Sequence, residues 1–293
     1  MRRYWMVYLM LLPVAIYYLI FKYGSMGYLV IAFQNFKTAK GIMGSQWVGL
    51  DNFVKFFNNS YCWRLIRNTL VLSGLNLAFG FSVPILFALL MDQIKTTWLK
   101  KTIQTASYMP YFISSVVVAG MVISFIDTDG LVMQLLSVFG VPKQNLRINS
   151  GAFPWIYTVT NVWKSFGFGS ILYFSTISSI DPGQYEAARI DGANRWMQVW
   201  HITLPGLRNI IAINLIMAIG GILNANSELI LLMYTPATYD VADVIGTYTY
   251  RMGIEGGQYS YTTAAGLFMS LIGFALTFAA NKVSNRLTGY GLW

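Results

Sequence analysis

Few side chains in this sequence could perform covalent chemistry or bind a metal ion. Its 293 residues include one histidine, His201, and one cysteine, Cys62. One cysteine cannot form a disulfide within the chain, and one residue of each type is too few for a histidine–cysteine metal site. We therefore predict no catalytic residues and no metal ligands, and we assign structural roles to His201 and Cys62.

Polar side chains within long apolar stretches are the remaining candidates. Two groups each share a helical face by their spacing: Asn161, Lys164, Ser165 and Phe168 in one stretch, and Asn224, Ser227 and Glu228 in the next. Amides and carboxylates hydrogen-bond to sugar hydroxyls, and a lysine suits an acidic ligand. We interpret both groups as the wall of a substrate path. In the alternative interpretation they form a polar seam between helices, in which Glu228 pairs with Lys164. Asn226 is expected to point elsewhere.

The composition indicates a membrane protein. Hydrophobic residues make up 56% of the chain and charged residues 11%, whereas a soluble domain has about 25% charged residues. This excludes an ordinary soluble enzyme, a disordered chain and a disulfide scaffold. The net charge of +9 is explained by lipid headgroups and the positive-inside rule rather than by nucleic acid.

Six stretches are long and apolar enough to cross a membrane as helices. They cover residues 4–21 (to 33 in a longer alternative), 69–91, 111–126, 153–180, 210–234 and 262–281. We expect an all-α membrane protein of about six transmembrane helices, forming one domain over residues 1–293. An even number of spans puts both termini on one side. We place them in the cytoplasm because basic residues on that side lie close to helix ends. In the outer loop, residues 22–68, Asp51 or Asn52 is expected to cap a short helix through Phe57.

Residues 181–205, which we name the polar hairpin, are far more polar than the spans on either side. Asp181 and Pro182 are typical of an N-cap and a first helical residue, so a helix is predicted from Pro182 to Ile190. A turn at Gly192 and a second helix from Ala193 to about Thr203 follow, with Pro205 marking the return to the membrane. The spacing of this second helix predicts one apolar face, made of Trp196, Val199 and Trp200.

The polar hairpin resembles a known family motif in the order of its residues: Glu186, Ala187, Ala188, Gly192, Ile202, Leu204 and Pro205. This order is similar to the EAA loop, which marks the permease subunits of binding-protein-dependent ABC importers. The sequence departs from the common pattern at Val199 and Asn209, where an aromatic residue and a second proline are frequent. Residues 239–281 and 289–293 resemble the carbohydrate-uptake class, and more narrowly the first of its two unlike permeases for oligosaccharides or polysaccharide fragments.

The resemblance implies a type I ABC importer permease fold and an assembly. The implied partners are a second, non-identical permease, two ATPase subunits and an extracytoplasmic solute-binding protein, in a bacterial inner membrane. It implies that residues 181–205 form a cytoplasmic coupling loop that docks on an ATPase. The residues assigned to that contact are Glu186, Ala187, Ala188, Asp191, Gly192, Ala193, Ile202, Leu204 and Pro205. The sequence has no G-x-x-x-x-G-K-[ST] loop, so we expect no cofactor in this chain, with ATP and Mg bound by the partner ATPases.

The function expected is therefore a non-enzymatic subunit of an ATP-driven importer for an oligosaccharide. An acidic cargo such as a uronic-acid oligomer is favoured by Lys164 and by the positive net charge. The alternatives are an ion-coupled secondary transporter, which would favour clustered intramembrane carboxylates, and an ABC permease for a peptide or lipid-linked cargo. An intramembrane enzyme would need an acid, base or metal set that the sequence hardly offers.

Overall fold

The computed structural model describes residues 5–223, 225–289 and 291–292, and nearly all of them are helical. The longer helices are α1 (Trp5–Phe33), α2 (Asp51–Asn58), α3 (Ser60–Asp92), α4 (Thr97–Tyr108), α5 (Ser115–Ile126), α6 (Leu131–Val138), α7 (Phe153–Gly169), α8 (Ile171–Ser178), α9 (Pro182–Ile190), α10 (Arg195–Gly206), α11 (Arg208–Gly220), α12 (Ser227–Met233) and α13 (Tyr259–Thr288). Shorter helices are Gly41–Gly44, Tyr239–Ala242 and Ile245–Tyr250. Asn224 and Tyr4 lie outside the described residues.

The chain divides into two compact units. The first comprises residues 1–63 and 248–271, and the second comprises residues 64–247 and 272–293. Helices α3 and α13 contribute residues to both. The single domain expected over residues 1–293 stays a prediction.

In the first unit, α1 is apolar along its length, and none of its residues from Trp5 to Tyr17 is buried within this chain. Such a helix is stable when it faces lipid. Its backbone hydrogen bonds all lie within the helix, and its apolar side chains contact the surrounding hydrocarbon. A two-stranded antiparallel sheet follows, in which β1 (Gln34–Asn35) pairs with β2 (Gln46–Trp47). The predicted helix in the outer loop is present as α2.

The predicted cap of α2 is wrong. Asp51 is the first helical residue, and Leu50, which precedes it, makes no side-chain cap. The Asn52 side chain instead donates to the carbonyl oxygens of Ala32, at 2.9 Å, and Gln34, at 3.0 Å. The Asn52 side chain therefore supplies hydrogen-bond donors to two backbone carbonyl groups, at the end of α1 and the start of β1. The local sequence of α2 gives no sign of these tertiary contacts.

A buried apolar cluster holds α3, α5, α7 and α12 together in the second unit. Leu72, Ala119, Tyr157 and Leu229 supply one residue from each helix. These four helices carry the polar side chains discussed below, so the cluster fixes the distances between those side chains.

Two of the six predicted spans are broken in the structure. Among the described residues, four helical stretches are long and apolar enough to cross a membrane: Trp5–Phe33, Ser60–Asp92, Ser115–Val138 and Tyr259–Arg286. The fifth candidate is a pair, Arg195–Gly206 and Arg208–Gly220, bent by 60°. The stretch 153–180 is interrupted at Ser170. In the stretch 210–234, residues 221–223, 225 and 226 are not helical. The chain bends at Leu207, two residues after Pro205.

Helix α13 packs through small residues, a common arrangement of membrane helices. A side chain at Gly220 of α11 would overlap Thr277, and one at Gly273 would lie 3.2 Å from the Gly220 carbonyl oxygen. The absence of side chains at both glycines lets the two backbones approach closely. The Ser270 hydroxyl donates to the Gly266 carbonyl oxygen of its own helix at 2.9 Å.

Candidate functional site

The first helix of the polar hairpin begins and ends as predicted. The Asp181 carboxylate accepts a hydrogen bond from the Gly183 amide at 3.0 Å, and Pro182 occupies the first helical position. Pro182 lacks the N–H that would have no helical partner there, so the sequence stabilises this end of α9.

Gly192 forms the turn that ends α9. Its φ is +81°, in the left-handed region that glycine adopts without steric cost. The Gly192 amide donates to the Arg189 carbonyl at 3.1 Å, and the Ala193 amide donates to the Ala188 carbonyl at 2.8 Å. These two bonds are those of a Schellman motif with glycine at C′. The direction in which the chain leaves α9 is therefore set by backbone hydrogen bonds around Gly192.

The second helix of the hairpin starts later than predicted. It begins at Arg195, with Asn194 as the N-cap accepting from the Met197 amide at 2.9 Å. Residues Val199–Thr203 form a π-helical turn. Trp196 and Val199 line one apolar groove together, and the apolar face formed by these two residues and Trp200 stays a prediction. Val199 is 7% exposed, whereas Trp196 and Trp200 are 69% and 62% exposed.

Tyr185 and Thr203 join the two helices of the hairpin through their hydroxyl groups, whose oxygens lie 2.9 Å apart. Burial is the main cause that raises the pKa of the Tyr185 phenol, and the nearby Asp92 carboxylate adds to it, while the Thr203 bond lowers it. A tyrosine phenol is protonated at neutral pH even without this shift, so the hydroxyl can donate or accept in this bond.

Replacing Tyr185 by phenylalanine should loosen the hairpin. The change removes one hydrogen bond, which contributes about 0.5–1.5 kcal/mol in folded proteins. A double-mutant cycle with Thr203→Val, read by thermal unfolding of the purified protein, should give a coupling energy of that size. Additive effects of the two substitutions would show that the bond does not contribute to stability.

The residues assigned to an ATPase contact are mostly accessible in this chain. Glu186, Ala187, Asp191, Gly192 and Pro205 are exposed. The other four assigned residues are half-buried: Ala188, Ala193, Ile202 and Leu204. The sequence reasoning missed Ile190, which is 87% exposed at the end of α9. An isoleucine at an otherwise polar helix end is a signal in the sequence that could have identified Ile190 as a contact residue.

Within the second unit, three asparagines form a chain of amide hydrogen bonds that we name the amide ladder. Asn226 donates to Asn161 at 3.2 Å, and Asn161 donates to Asn76 of α3 at 2.6 Å. The Asn226 side chain also accepts from the Leu229 amide at 3.3 Å, and so caps α12. The expectation that Asn226 points elsewhere is wrong, because the helix break before Ser227 turns its side chain towards α7.

A cavity of about 310 Å³ lies beside the amide ladder, and its lining includes Ser73, Asn76, Tyr157, Ser165 and Gly221. The Tyr157 hydroxyl accepts a hydrogen bond from the backbone N–H of Asn226 at 3.0 Å. Of the residues predicted for a substrate path, Ser165 lines this cavity and Asn161 contacts Asn76 on its wall. Asn76 and Tyr157 were missed, although an asparagine inside an apolar span was a visible signal.

Lys164 and Glu228 are connected through a serine rather than paired directly. The Lys164 ammonium donates to the Ser115 hydroxyl at 2.8 Å, and that hydroxyl donates to the Glu228 carboxylate at 3.3 Å. We name these three residues the charge relay. Within the described part of the chain no ion pair involves Lys164, so the predicted direct pairing is wrong. Ser115 was missed because only tertiary packing brings the start of α5 to α7.

The remaining predicted path residues lie apart from these contacts. Phe168 stacks on Tyr111, with ring centroids 4.0 Å apart. The Ser227 hydroxyl donates to the Ala225 carbonyl at 3.1 Å. Asn224 lies outside the described residues.

Comparisons with known proteins agree over almost the whole chain. Residues 80–289 match the family described as "Binding-protein-dependent transport system inner membrane component". The polygalacturonan/rhamnogalacturonan transport system permease protein YteP of Bacillus subtilis (strain 168) is 40% identical over 98% of this chain and 90% of its own length. Protein LplB of the same organism is 39% identical over 98% of this chain and 91% of its own length.

Solved structures give the same result. A chain of a bacterial ABC transporter involved in the import of the acidic polysaccharide alginate superposes with a TM-score of 0.91 and 42% identity, covering 98% of this chain and 97% of that chain. A structure of the bacterial alginate ABC transporter in complex with an alginate pentasaccharide-bound periplasmic protein gives a TM-score of 0.91 at 41% identity, covering 99% and 98%. The predicted family and its all-α importer-permease fold are confirmed, and the chain belongs to the family of binding-protein-dependent transport system inner membrane components.

Proposed function

We propose that this permease imports an acidic oligosaccharide, handed over by a solute-binding protein and driven by ATP hydrolysis in partner subunits. Family membership makes the chain a membrane transport subunit and not an enzyme. The proposal adds to this the chemistry of the cargo and the composition of the assembly: a second, unlike permease, two ATPases that bind ATP and Mg, and the binding protein.

The acidic nature of the cargo rests chiefly on Lys164. Its ammonium makes one hydrogen bond, to Ser115, and has two further protons to donate. A cation within an apolar span is costly, so it is kept where it faces an interior or a watery path. The relatives point the same way, because YteP is named for polygalacturonan and the solved transporter for alginate, and both polymers carry uronic carboxylates.

The cavity beside the amide ladder suits the uncharged groups of such a cargo. Asn76, Ser165 and Tyr157 bring amide and hydroxyl groups to its wall, and these can donate to or accept from sugar hydroxyls. Asn161 and Asn226 hold Asn76 in place through the ladder. The support for a hydroxyl-rich cargo is therefore independent of the charge on Lys164.

The polar hairpin is proposed as the element that receives force from an ATPase, on the cytoplasmic side together with both termini. Its assigned contact residues are largely exposed, and Ile190 adds an exposed apolar side chain beside them. The Gly192 turn and the Tyr185–Thr203 bond join its two helices firmly, and α10 leads directly into α11. A push on α9 is thereby transmitted to a membrane helix.

Replacing Lys164 by glutamine tests the acidic cargo. We expect transport of a galacturonate trimer to fall by about tenfold or more, the loss of one hydrogen bond to a charged group, while Lys164→Arg retains most activity. The measurement is uptake and ATP hydrolysis in proteoliposomes that contain all partners, with the binding protein loaded with the trimer. A response to neutral oligosaccharides alone would contradict the acidic cargo and leave the importer assignment standing.

A further inference from the structure

A basic cavity lies against the polar hairpin, and the proposed transport mechanism gives no role to its charged residues. Its volume is about 660 Å³, and its lining includes Lys95, Arg189, Arg195, Asp92 and Gln93. Three cations thus face one carboxylate. Within the described residues, none of the three cations takes part in an ion pair, so the cavity carries uncompensated positive charge that favours an anionic ligand.

An apolar groove of about 410 Å³ adjoins this cavity and shares Gln93 and Arg195 with it. The rest of its lining is apolar apart from the indole N–H of a tryptophan, and consists of Leu86, Leu89, Leu90, Trp196 and Val199. The two spaces therefore form one bipartite site, with cations in one half, hydrocarbon in the other, and Gln93 and Arg195 at the boundary. Each volume lies within the range of roughly 300–1,000 Å³ of ligand sites.

We propose that this bipartite site binds an anionic phospholipid of the adjacent membrane leaflet. Its phosphate lies among Lys95, Arg189 and Arg195, and part of one acyl chain lies in the groove. The leucines that line the groove lie near the end of α3, an apolar membrane-spanning helix. At this position the helix can contact lipid tails. Trp196 lies in the groove next to Arg195, and tryptophan is enriched at membrane–water interfaces. Basic pockets between membrane helices bind anionic headgroups in this manner.

A lipid accounts for the site better than a soluble anion or a protein does. A soluble anion would fill the basic half alone, whereas an anionic lipid has a charged part for the basic half and a hydrocarbon part for the groove. A soluble protein partner would have to reach Leu86 and Leu90, which lie on the membrane helix itself. The site needs only the membrane location that the family provides, so it does not depend on the identity of the cargo.

Native mass spectrometry of the assembled transporter, purified with its partner subunits in detergent, tests the proposal. Dioleoylphosphatidylglycerol and dioleoylphosphatidylcholine are titrated separately. We expect the anionic lipid to bind this permease at least fivefold more tightly than the zwitterionic lipid. Arg195→Gln and Lys95→Gln should each weaken it by about fivefold. Lys101→Gln, the same change at an exposed lysine outside the cavity, should have no effect.

Two further measurements test whether the bound ligand is a lipid and not a soluble anion. Leu90→Trp, at an exposed position of the groove, should weaken lipid binding while all charges remain. Inorganic phosphate at the same concentration should not displace the lipid. Equal binding of both lipids, displacement by phosphate, or lipid that binds the permease but is excluded once the ATPases are present would each overturn the proposal.

Discussion

Replacing Gly192 by valine is expected to reduce transport by about tenfold or more while the protein still inserts into the membrane. The φ of +81° at Gly192 costs an L-residue about 1–2 kcal/mol, and a β-branched residue more. A cost of this size corresponds to a change of about fivefold to thirtyfold in an equilibrium. The strain opens the Schellman turn and changes the direction of α9, whose exposed residues then no longer meet the proposed ATPase.

The Gly192 experiment has a control at the same position. A side chain at Gly192 would meet no atom within 4 Å, so the predicted effect comes from the backbone and not from a clash. Asparagine tolerates the left-handed conformation, and Gly192→Asn should therefore keep much more transport than Gly192→Val. The measurement is uptake in proteoliposomes with all partners, normalised to the amount of inserted permease. Normal uptake by the valine variant would refute the coupling role of this turn.

Replacing Gly167 by alanine is expected to lower the stability of the second unit. A β-carbon at Gly167 of α7 would overlap the carbonyl group of Ser107 in α4. A backbone carbonyl cannot rotate away as a flexible side chain can, so the two helices must separate. Overpacking of this kind costs about 1–3 kcal/mol.

Gly169 provides the matched control for this substitution. It lies two residues further along α7, and a β-carbon there would lie 3.5 Å from Pro84, an ordinary contact. The measurement is thermal unfolding, in which size-exclusion chromatography gives the fraction of folded protein left after heating. It should show a clear fall in melting temperature for Gly167→Ala and little change for Gly169→Ala. Equal melting temperatures for the two variants would mean that α4 and α7 adjust without cost.

The polar hairpin could be predicted closely because local rules determine it. An N-cap at Asp181, a proline at the first helical position and a glycine at C′ each act within a few residues along the chain. The π-helical turn at Val199–Thr203 was not predictable in this way. Its backbone hydrogen bonds span one residue more than those of an α-helix, and the spacing of the apolar residues carries no signal of that change.

The interior of the second unit was predicted less well, because average hydropathy does not report where a helix breaks. The interruptions at Ser170 and between Gly220 and Ser227 lie inside apolar stretches. The second interruption brings Asn226 to Asn161. The serine of the charge relay likewise becomes recognisable only when α5 and α7 are packed together. Asn161, Lys164 and Glu228 were therefore identified from the sequence, and their hydrogen-bond partners were not.

The break before α12 has a consequence for what fills the adjacent cavity between transport events. Gly221, Ile222 and Ala225 line that cavity, and unwound peptide groups within a span persist only where protein or water satisfies them. Ser73, Asn76 and Tyr157 also bring hydroxyl and amide groups to its wall, so we expect water to occupy the cavity at rest. An incoming sugar must then exchange places with that water. Because sugar hydroxyls replace the hydrogen bonds of displaced water nearly one for one, passage of the cargo requires little net dehydration, whereas a purely apolar solute would meet a barrier at this point.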